Sequence, residues 1–458
     1  MAQVIMNNPI LIKGSRIIDA GQGVDVVGDL LIKEGKILSA GNTIATDDMP
    51  ENCRVIAGNG LIACAGFIDL HCHLREPGFE YKETIATGTQ AAARGGFTTL
   101  CCMPNTDPAI DNAAVVEFIK RRAEEEGVVR VFPIGCVTKG RKGKALAEME
   151  ELASAGVVAF SDDGDPVYDD NLMRLALAYS QDLGLPISNH CQVHSLSRDG
   201  VMAEGWVATR LGLPGIPAAA EETMIARDIS LAELTGGRLH VAHLSTIGSV
   251  SLVRQAKERG ISVTAEVCPH HLTITDQWAL GGKNSTNDVA GPLSYDTSTK
   301  VYPPLRSQHD VEALVDALAE GVIDCIATDH APHDLASKQV TFQDASFGIS
   351  VLETAFGSLM QLVHEDRISI STLIERLTIG PARILGPNFA ELSTLKPGTP
   401  ADLVLFDPNR DWTVDPEEFA SKGKNTPLAG ITLKGRVVAT LVAGQIVFQG
   451  SELMEQVS

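Results

Sequence analysis

Residues 66–78 of the chain read GFIDLHCHLREPG, and two histidines, His71 and His73, stand inside this stretch. The residues before them, Phe67 to Leu70, form a short and mostly apolar run that is typical of a buried strand. Residues two apart in an extended chain point the same way, so both imidazoles can reach one ion. The stretch therefore predicts a buried strand that ends either in a pair of metal ligands or in two polar residues satisfied by the backbone.

Similar apolar runs recur downstream and alternate with amphipathic segments of helical length. The runs are FIDLH (67–71), FTTLCCM (97–103), VRVFPIGCV (129–137), VVAFSDD (157–163), PISNHC (186–191), LHVAHLS (239–245), SVTAEVC (262–268) and IDCIATDH (323–330). Eight strand-helix units predict a parallel sheet, and eight is the number that closes a barrel. A doubly wound open sheet is the competing prediction, but no GxGxxG turn follows the first strand. We therefore expect an α/β fold with a (β/α)8 TIM-type barrel.

The two ends of the chain have a different pattern from this middle. Before residue 66, short apolar runs alternate with Gly, Asp and Lys turns, which is typical of hairpins. The same pattern returns near the end in ADLVLFDPNRDWTV and GRVVATLVAGQIVFQG. We predict that residues 1–65 and 390–458 pair into one small β domain, and that residues 66–389 form the metal-dependent barrel.

Composition limits the class of protein and its partners. The 458 residues carry a formal net charge of -21, from 58 acidic and 37 basic residues, which argues against nucleic acid or an anionic membrane as a partner. The N-terminal residues lack the pattern of a signal peptide, and no apolar run reaches membrane-spanning length, so we expect a cytoplasmic protein. The nine cysteines show no pattern of a disulfide framework.

Polar groups follow the ends of five of the predicted strands. They are His71, His73, Asp163, His190, His243 and Asp329. Taken singly, each can be a strand-closing, turn or capping residue, but a barrel brings the carboxyl ends of its strands to one mouth. Nitrogen and oxygen ligands suit zinc or a similar divalent ion, and two ions would explain the number of ligands. A hydroxide held by such ions is a nucleophile at neutral pH. Its use also needs a group that accepts the proton and passes it on, and we assign that role to Asp329.

These motifs resemble one known family. DLHCHLREPG, MPNT at 103–106, SDDG, NHC, HVAHLST, PPLR at 303–306 and ATDHAPH, in this order, look like the dihydroorotase family of the amidohydrolase superfamily. The resemblance covers nearly the whole chain and is to the longer bacterial class, which has Asp where many relatives use a carboxylated lysine. It implies a zinc-dependent enzyme that reversibly cyclises N-carbamoyl-L-aspartate to dihydroorotate in pyrimidine (UMP) biosynthesis.

The resemblance also implies roles for individual residues. It implies two zinc sites that share one carboxylate, the first held by His71, His73, Asp163 and Asp329 and the second by Asp163, His190 and His243, so that one or two zinc ions bind per chain. Arg75 and Asn105 fall where the family binds the substrate carboxylate, and a planar guanidinium suits a planar anion. His333 matches a histidine that contacts substrate, and Phe347 with Gly348 matches a backbone contact to the substrate ring.

The sequence departs from the family at several positions. Tyr302 stands before PPLR where the family usually has Asn, and the segment at 281–300 looks longer than usual. His194 follows His190 closely, but we assign it to a helix face rather than to the metal. We assign His270 and His271 in CPHHL to structure.

Two other functions are compatible with parts of this pattern. A hydantoinase or allantoinase would generally need a lysine in the fourth run, and VVAFSDD has none. A catalytically silent homologue that serves as a partner of aspartate transcarbamoylase would have degraded metal ligands, whereas this chain keeps all six. We expect a homo-oligomer, and an active enzyme could still dock with the transcarbamoylase.

Overall fold

The computed structural model of the chain describes residues 8–45, 49–281 and 293–451. Within these ranges the strands are β1 (Ile10–Asp19), β2 (Val24–Lys33), β3 (Lys36–Ala40), β4 (Arg54–Ala57), β5 (Ile62–Ala65), β6 (Phe67–Cys72), β7 (Phe97–Cys102), β8 (Arg130–Pro133), β9 (Ile187–Asn189), β10 (Met202–Ala203), β11 (Gly215–Ile216), β12 (Leu239–Val241), β13 (Val263–Val267), β14 (Cys325–Ile326), β15 (Leu403–Thr413), β16 (Thr432–Val442) and β17 (Gln445–Gln449). Most of the long segment predicted before Pro303, residues 282–292, lies outside the described residues.

The helices in the same ranges fill the intervals between the strands. They are α1 (Ile85–Gly95), α2 (Ala113–Glu126), α3 (Met149–Ala155), α4 (Asp170–Leu183), α5 (His194–Ser197), α6 (Trp206–Leu211), α7 (Ala219–Thr235), α8 (Ile247–Glu258), α9 (Pro269–Thr273), α10 (Gln308–Glu320), α11 (Leu335–Lys338), α12 (Ala355–His364), α13 (Ile370–Leu377) and α14 (Ile379–Leu385). All eight amphipathic segments predicted from the sequence contain a helix. The short helices α6, α9, α11, α13 and α14 were not predicted, because they are too short for a periodic apolar pattern. The short helix α5 contains His194, which the sequence analysis assigned to a helix face.

Parallel strands form the centre of the protein in two sheets. One sheet has the order β6-β7-β8 and the other β14-β13-β12-β9. Every residue of β6 and β7 is buried, which is typical of parallel strands covered by helices. The two sheets are linked at both sides by isolated bridges, through Phe160 on one side and through the pair Cys72 and His330 on the other.

The fourth predicted strand, at 157–163, is wrong as a regular strand. Phe160 alone makes bridges, to Gly135 and to Ile187. Backbone hydrogen bonds to both neighbours still form around it, from the Val158 N–H to the Pro133 carbonyl at 3.2 Å and from the Phe160 N–H to the Pro186 carbonyl at 3.0 Å. The run ends at Asp162, whose Oδ1 accepts the backbone N–H groups of Val137 at 2.9 Å and Thr138 at 3.0 Å. A side chain thus takes the donors that a neighbouring strand would otherwise use.

Helix termini follow the signals in the sequence. At α4, Asp169 accepts the backbone N–H of Leu172 at 2.8 Å, and Gly184 follows the last turn with φ 71°. A carboxylate at the first position and a left-handed glycine at the last satisfy the free backbone groups at both ends. These caps fix where α4 ends and so where the next strand, β9, begins.

Strands from both ends of the chain form one mixed sheet. Its order is β17-β16-β15-β5-β1-β2-β3, with β4 paired to β1. The joining pair is β5 with β15, antiparallel from Ala65 opposite Leu403 to Ile62 opposite Phe406. Gly66 carries the chain from this sheet into β6, and a Cβ there would lie 2.2 Å from the Thr98 side chain, so the passage requires glycine.

Candidate active site

The six predicted ligands lie together at the carboxyl ends of the parallel strands. His71 stands in β6 and His73 just after it; Asp163 follows the bridge at Phe160, and His190 follows β9. His243 and Asp329 come two and three residues after β12 and β14, respectively. Each of the six is at most 5% exposed to solvent, so the cluster is a buried polar site rather than a charged surface.

Asp163 is the centre of this cluster. Its Oδ1 lies 3.3 Å from His71 Nε2, 3.7 Å from His190 Nδ1 and 3.6 Å from His243 Nε2. Its Oδ2 lies 3.5 Å from His73 Nε2. One carboxylate therefore faces two sets of imidazoles.

Asp329 closes the cluster from the opposite side. Its Oδ1 lies 3.0 Å from His73 Nε2 and 3.6 Å from His71 Nε2. Four groups in the described part of the chain have ligand atoms close enough to hold an ion, and two of them lie in this cluster, one made of His71, His73 and Asp163 and the other of Asp163, His190 and His243.

Hydrogen bonds on the far side of two imidazoles determine what faces the cluster. His71 Nδ1 lies 2.6 Å from Glu266 Oε1, and His73 Nδ1 lies 2.9 Å from Asn105 Oδ1. An oxygen acceptor at Nδ1 requires the proton there, so each neutral ring presents the lone pair of Nε2 to carboxylate oxygens. Lone pairs facing lone pairs repel, and a cation between them removes the repulsion.

Orphaned polar atoms support the same conclusion. His71 Nε2, Asp163 Oδ1 and His190 Nε2 are buried without a hydrogen-bond partner. Buried polar atoms are nearly always paired, and an unpaired one calls for an ion, a water or a functional role. The residues present therefore fit a divalent metal ion.

The charges of the cluster shift the pKa values of its members in opposite directions. Burial opposes ionisation of Asp163, but the imidazoles of His71, His190 and His243 outweigh it and hold its pKa well below the usual range. Burial likewise disfavours the imidazolium of His71, yet the carboxylates of Asp163 and Glu266 raise its pKa well above the usual value. A proton and a metal ion therefore compete for Nε2 of His71.

Three residues at or beside the cluster have strained backbone. Arg75, His243 and Asp329 have φ values of 62°, 32° and 45°, in a region that side chains other than glycine rarely adopt. Such conformations cost free energy and persist only where the surrounding structure imposes them, often at functional sites.

Glu266 is a functional candidate that the sequence reasoning missed. Besides His71, it contacts His240 Nε2 at 3.0 Å through Oε2 and accepts the backbone N–H of His243 at 3.2 Å through Oε1. It is fully buried, and the surrounding imidazoles lower its pKa in spite of burial. The signal was present in SVTAEVC, since a carboxylate inside an otherwise apolar strand needs a buried partner.

Asp69 was missed for the same reason. It lies inside FIDLH and accepts the backbone N–H of Thr328 at 2.8 Å and the Thr328 hydroxyl at 2.6 Å. Because Thr328 precedes Asp329, this contact connects strand β6 to the loop that carries a predicted ligand.

Arg75 lies beside the cluster with its charge available. Its Nε donates to the Pro332 carbonyl at 3.4 Å, and no carboxylate among the described residues lies in ion-pair range of its guanidinium. Neighbouring Glu76 and Glu83 pair with Arg122 and His330 instead. Burial lowers the pKa of Arg75 to about 10, which still leaves it a cation at neutral pH.

The other predicted substrate residues form one wall near Arg75. His333 Nε2 lies 2.8 Å from the Phe347 carbonyl, while His333 Nδ1 is buried without a partner. Gly348 has φ 138°, and a Cβ there would lie 2.7 Å from Ala331. Asn105 is committed in part elsewhere, because its Oδ1 holds His73.

Tyr302, His194 and His271 each contact other side chains or the backbone, whereas both ring nitrogens of His270 are buried without a hydrogen-bond partner. The Tyr302 ring stacks on His190 with a centroid distance of 4.8 Å and contacts Phe347 at 5.0 Å. His194 Nδ1 pairs with the Tyr168 hydroxyl at 2.7 Å, as expected of a residue on a helix face. His271 Nε2 pairs with the Pro303 carbonyl at 3.1 Å.

Fold and site together are those of an amidohydrolase with candidate metal-binding clusters. A model described as "Amidohydrolase family" matches residues 232–448, and a solved L-hydantoinase from Arthrobacter aurescens superposes with a TM-score of 0.82 at 24% identity, covering 96% of each chain. That identity shows a shared fold alone. No helix in the described ranges has the length and apolar character needed to cross a bilayer.

Closer relatives define the family. A model described as "Dihydro-orotase-like" matches residues 60–249. The dihydroorotase of Pelotomaculum thermopropionicum is 50% identical over 441 residues, covering 96% of this chain and 98% of the relative. That of Syntrophus aciditrophicus is 46% identical over 440 residues, covering 96% and 99%. The chain belongs to the dihydroorotase family, and it is a cyclic amide hydrolase.

Proposed function

We propose that the protein interconverts N-carbamoyl-L-aspartate and L-dihydroorotate in pyrimidine biosynthesis at a zinc centre built around Asp163. The single observation that carries this proposal is the position of Asp163 Oδ1, within 3.3 to 3.7 Å of His71, His190 and His243 and without a hydrogen bond. Asp163 belongs to both candidate ligand groups and would serve each of them if an ion were bound. Nitrogen and oxygen donors favour zinc over softer metals.

Each ligand has a defined place in this proposal. One zinc would be held by His71, His73, Asp163 and Asp329, and a second by Asp163, His190 and His243. When bound, zinc lowers the pKa of a water and polarises the carbonyl that the water attacks. Glu266 and Asn105 hold the rings of His71 and His73 so that Nε2 of each faces the ions.

Asp329 moves the proton. Its carboxylate is 5% exposed and its pKa lies below the usual range, because the contact with His73 and the charges of nearby imidazoles outweigh burial. An ionised carboxylate at this position accepts the proton of the attacking water and returns it to the leaving ring nitrogen. In the direction of cyclisation the same group carries the proton the other way.

Arg75 and His333 orient the substrate. A guanidinium without a protein carboxylate in ion-pair range can form two parallel hydrogen bonds to the substrate carboxylate, and Asn105, whose Oδ1 holds His73, would supply its amide nitrogen as a further donor. Burial lowers the pKa of His333 to about 2, so the ring is neutral. With its proton on Nε2 toward Phe347, Nδ1 is an acceptor for a substrate N–H.

The architecture we propose is a closed (β/α)8 barrel at residues 66–389 with a small β domain from residues 1–65 and 390–458. The bridges through Phe160 and His330, which link the two parallel sheets at both sides, support closure. The pairing of β5 with β15 supports a domain made from both ends. A homo-oligomer and docking with aspartate transcarbamoylase stay predictions from the sequence.

A substrate panel tests the function. We expect purified protein to hydrolyse dihydroorotate with a kcat/KM at least about 100-fold above that for hydantoin or allantoin, because neither of these offers a free carboxylate to Arg75. The reverse reaction should form dihydroorotate from N-carbamoyl-L-aspartate. Preference for hydantoin would point to the other cyclic amidases, and zinc-loaded protein without turnover would point to a silent homologue.

A further inference from the structure

Two buried lysines flank the segment at residues 343–348, which contains the predicted substrate contacts Phe347 and Gly348. Lys300 is 2% exposed and Lys338 is 5% exposed. Lysine is rarely this buried, because removing an ammonium from water costs free energy unless its N–H groups find partners.

Both ammonium groups use backbone carbonyls of this segment as partners. Lys338 Nζ donates to the carbonyls of Ser346 at 2.7 Å and Gly348 at 3.1 Å. Lys300 Nζ donates to the Gln343 carbonyl at 2.8 Å and lies 4.4 Å from the centroid of the Phe347 ring. The segment is therefore held from two sides at three of its carbonyl groups.

Neither lysine is placed to form an ordinary ion pair. No carboxylate among residues 8–45, 49–281 and 293–451 lies in ion-pair range of either ammonium. Burial lowers the pKa of Lys338 to about 7 and that of Lys300 to about 8, with Asp296 and Asp344 as the acids that partly oppose this. A methionine of the same shape would avoid the cost of burial, so the N–H donors are what the position gains from lysine.

The held segment in turn fixes His333. The Phe347 carbonyl of this segment accepts a hydrogen bond from His333 Nε2 at 2.8 Å, and His333 Nδ1 is left buried without a partner. The backbone N–H of Gly348 donates to the Lys300 carbonyl at 2.9 Å, and Asn425 Nδ2 donates to the Gly348 carbonyl at 3.0 Å. A shift of the segment would therefore change which nitrogen of His333 carries the proton.

We infer that Lys338, assisted by Lys300, is a positioning residue that holds the segment at 343–348 so that His333 presents Nδ1 to the substrate. This role rests on the proposed function, in which His333, Phe347 and Gly348 contact substrate. Lys338 does not touch the reacting atoms and acts only through the segment.

Steady-state kinetics of Lys338→Met test the role. We expect KM for dihydroorotate to rise about tenfold, the effect of weakening about one hydrogen bond to substrate, while kcat changes less than about twofold. Zinc content should stay at the parental level, because no candidate ligand contacts Lys338. Lys120→Met is the matched control: Lys120 Nζ also donates to a backbone carbonyl, that of Ala155 at 3.0 Å, but on the helical surface, and its KM should not change.

A second variant and a second readout separate positioning from general damage. Lys338→Arg keeps nitrogen donors and should bring KM back to within about threefold of the parent. Amide hydrogen exchange of the peptide spanning 341–350 should be faster in Lys338→Met and parental in Lys120→Met. Equal KM values for parent and Lys338→Met, or for the Met and Arg variants, would overturn the inference.

The two proposals fail in different ways. If the parent does not turn over dihydroorotate, the proposed function fails, and hydrogen exchange alone still decides whether Lys338 holds the segment. If the parent is active and exchange at 341–350 is unchanged in Lys338→Met, the positioning role fails and the function stands.

Discussion

Replacing Glu266 by Gln is expected to weaken zinc binding without removing any ligand. Glu266 holds the His71 ring at 2.6 Å and the His240 ring at 3.0 Å, one with each carboxylate oxygen. A glutamine keeps the shape but has only one oxygen, so its NH2 group must face one imidazole nitrogen that now carries a proton. One ring has to change its tautomer or rotate.

The size of the effect follows from this geometry. Groups that hold metal-bound imidazoles are worth about 10- to 100-fold in metal affinity, which is about 1.4 to 2.7 kcal/mol. We expect a loss of zinc affinity in the lower half of this range if the amide turns its oxygen to His71, because His71 then keeps its proton on Nδ1 and the lone pair on Nε2. We expect the upper half if the oxygen turns to His240.

The assay is a competition for zinc between the protein and a chelator, with turnover measured at the same free zinc. Glu266→Gln should need about 10- to 100-fold more free zinc for half-maximal activity and reach a near-parental rate at saturation. Glu353→Gln is the control, since Glu353 accepts backbone N–H groups of Ala420 and Ser421. Parental zinc affinity in Glu266→Gln would show that Glu266 does not orient His71.

Three further substitutions test separate parts of the site. Asp329→Asn should retain most zinc and lose about 10²- to 10⁴-fold in kcat, because an amide cannot accept the proton. Activity within tenfold of the parent would place the proton carrier elsewhere. The control is Asp165→Asn, which changes an exposed carboxylate. Arg75→Lys should raise KM for dihydroorotate by about 10-fold through loss of the two-pronged contact, and unchanged saturation kinetics would remove Arg75 from the site. For Lys338, the pKa is about 7 in the fold against 10.5 for an ordinary lysine. Between these pH values the unfolded chain binds more protons, so in urea unfolding the parent should gain stability with rising pH relative to Lys338→Met, by up to about 1.4 kcal/mol per pH unit. A constant difference between parent and variant would contradict that pKa.

Much of the fold and the site could be predicted from local pattern. His71, His190 and His243 each follow a buried apolar run, and a parallel sheet necessarily gathers the ends of such runs. The pairing of the two chain ends was predicted because both ends share a hairpin pattern that the middle lacks.

The rest depends on contacts between residues distant in sequence. Asp162 ends the fourth predicted strand by accepting backbone N–H groups 24 and 25 residues away, which no local pattern reveals. Glu266 contacts His71, which is 195 residues away in sequence. The hydrogen bond between Asn105 and His73 could not be predicted from local pattern either. The hydrogen bonds of Lys338 to the segment at 343–348 depend on its burial, and burial of a charged residue cannot be predicted from the local sequence.

Zinc content and dihydroorotate turnover, measured on the same samples as metal-free protein is titrated with zinc, test the role of Asp163 most directly. We predict that rate and bound zinc rise together to a limit of one or two ions per chain, and that Asp163→Ala lowers both. Full turnover without metal, or parental zinc binding and rate in Asp163→Ala, would contradict a centre built around this carboxylate.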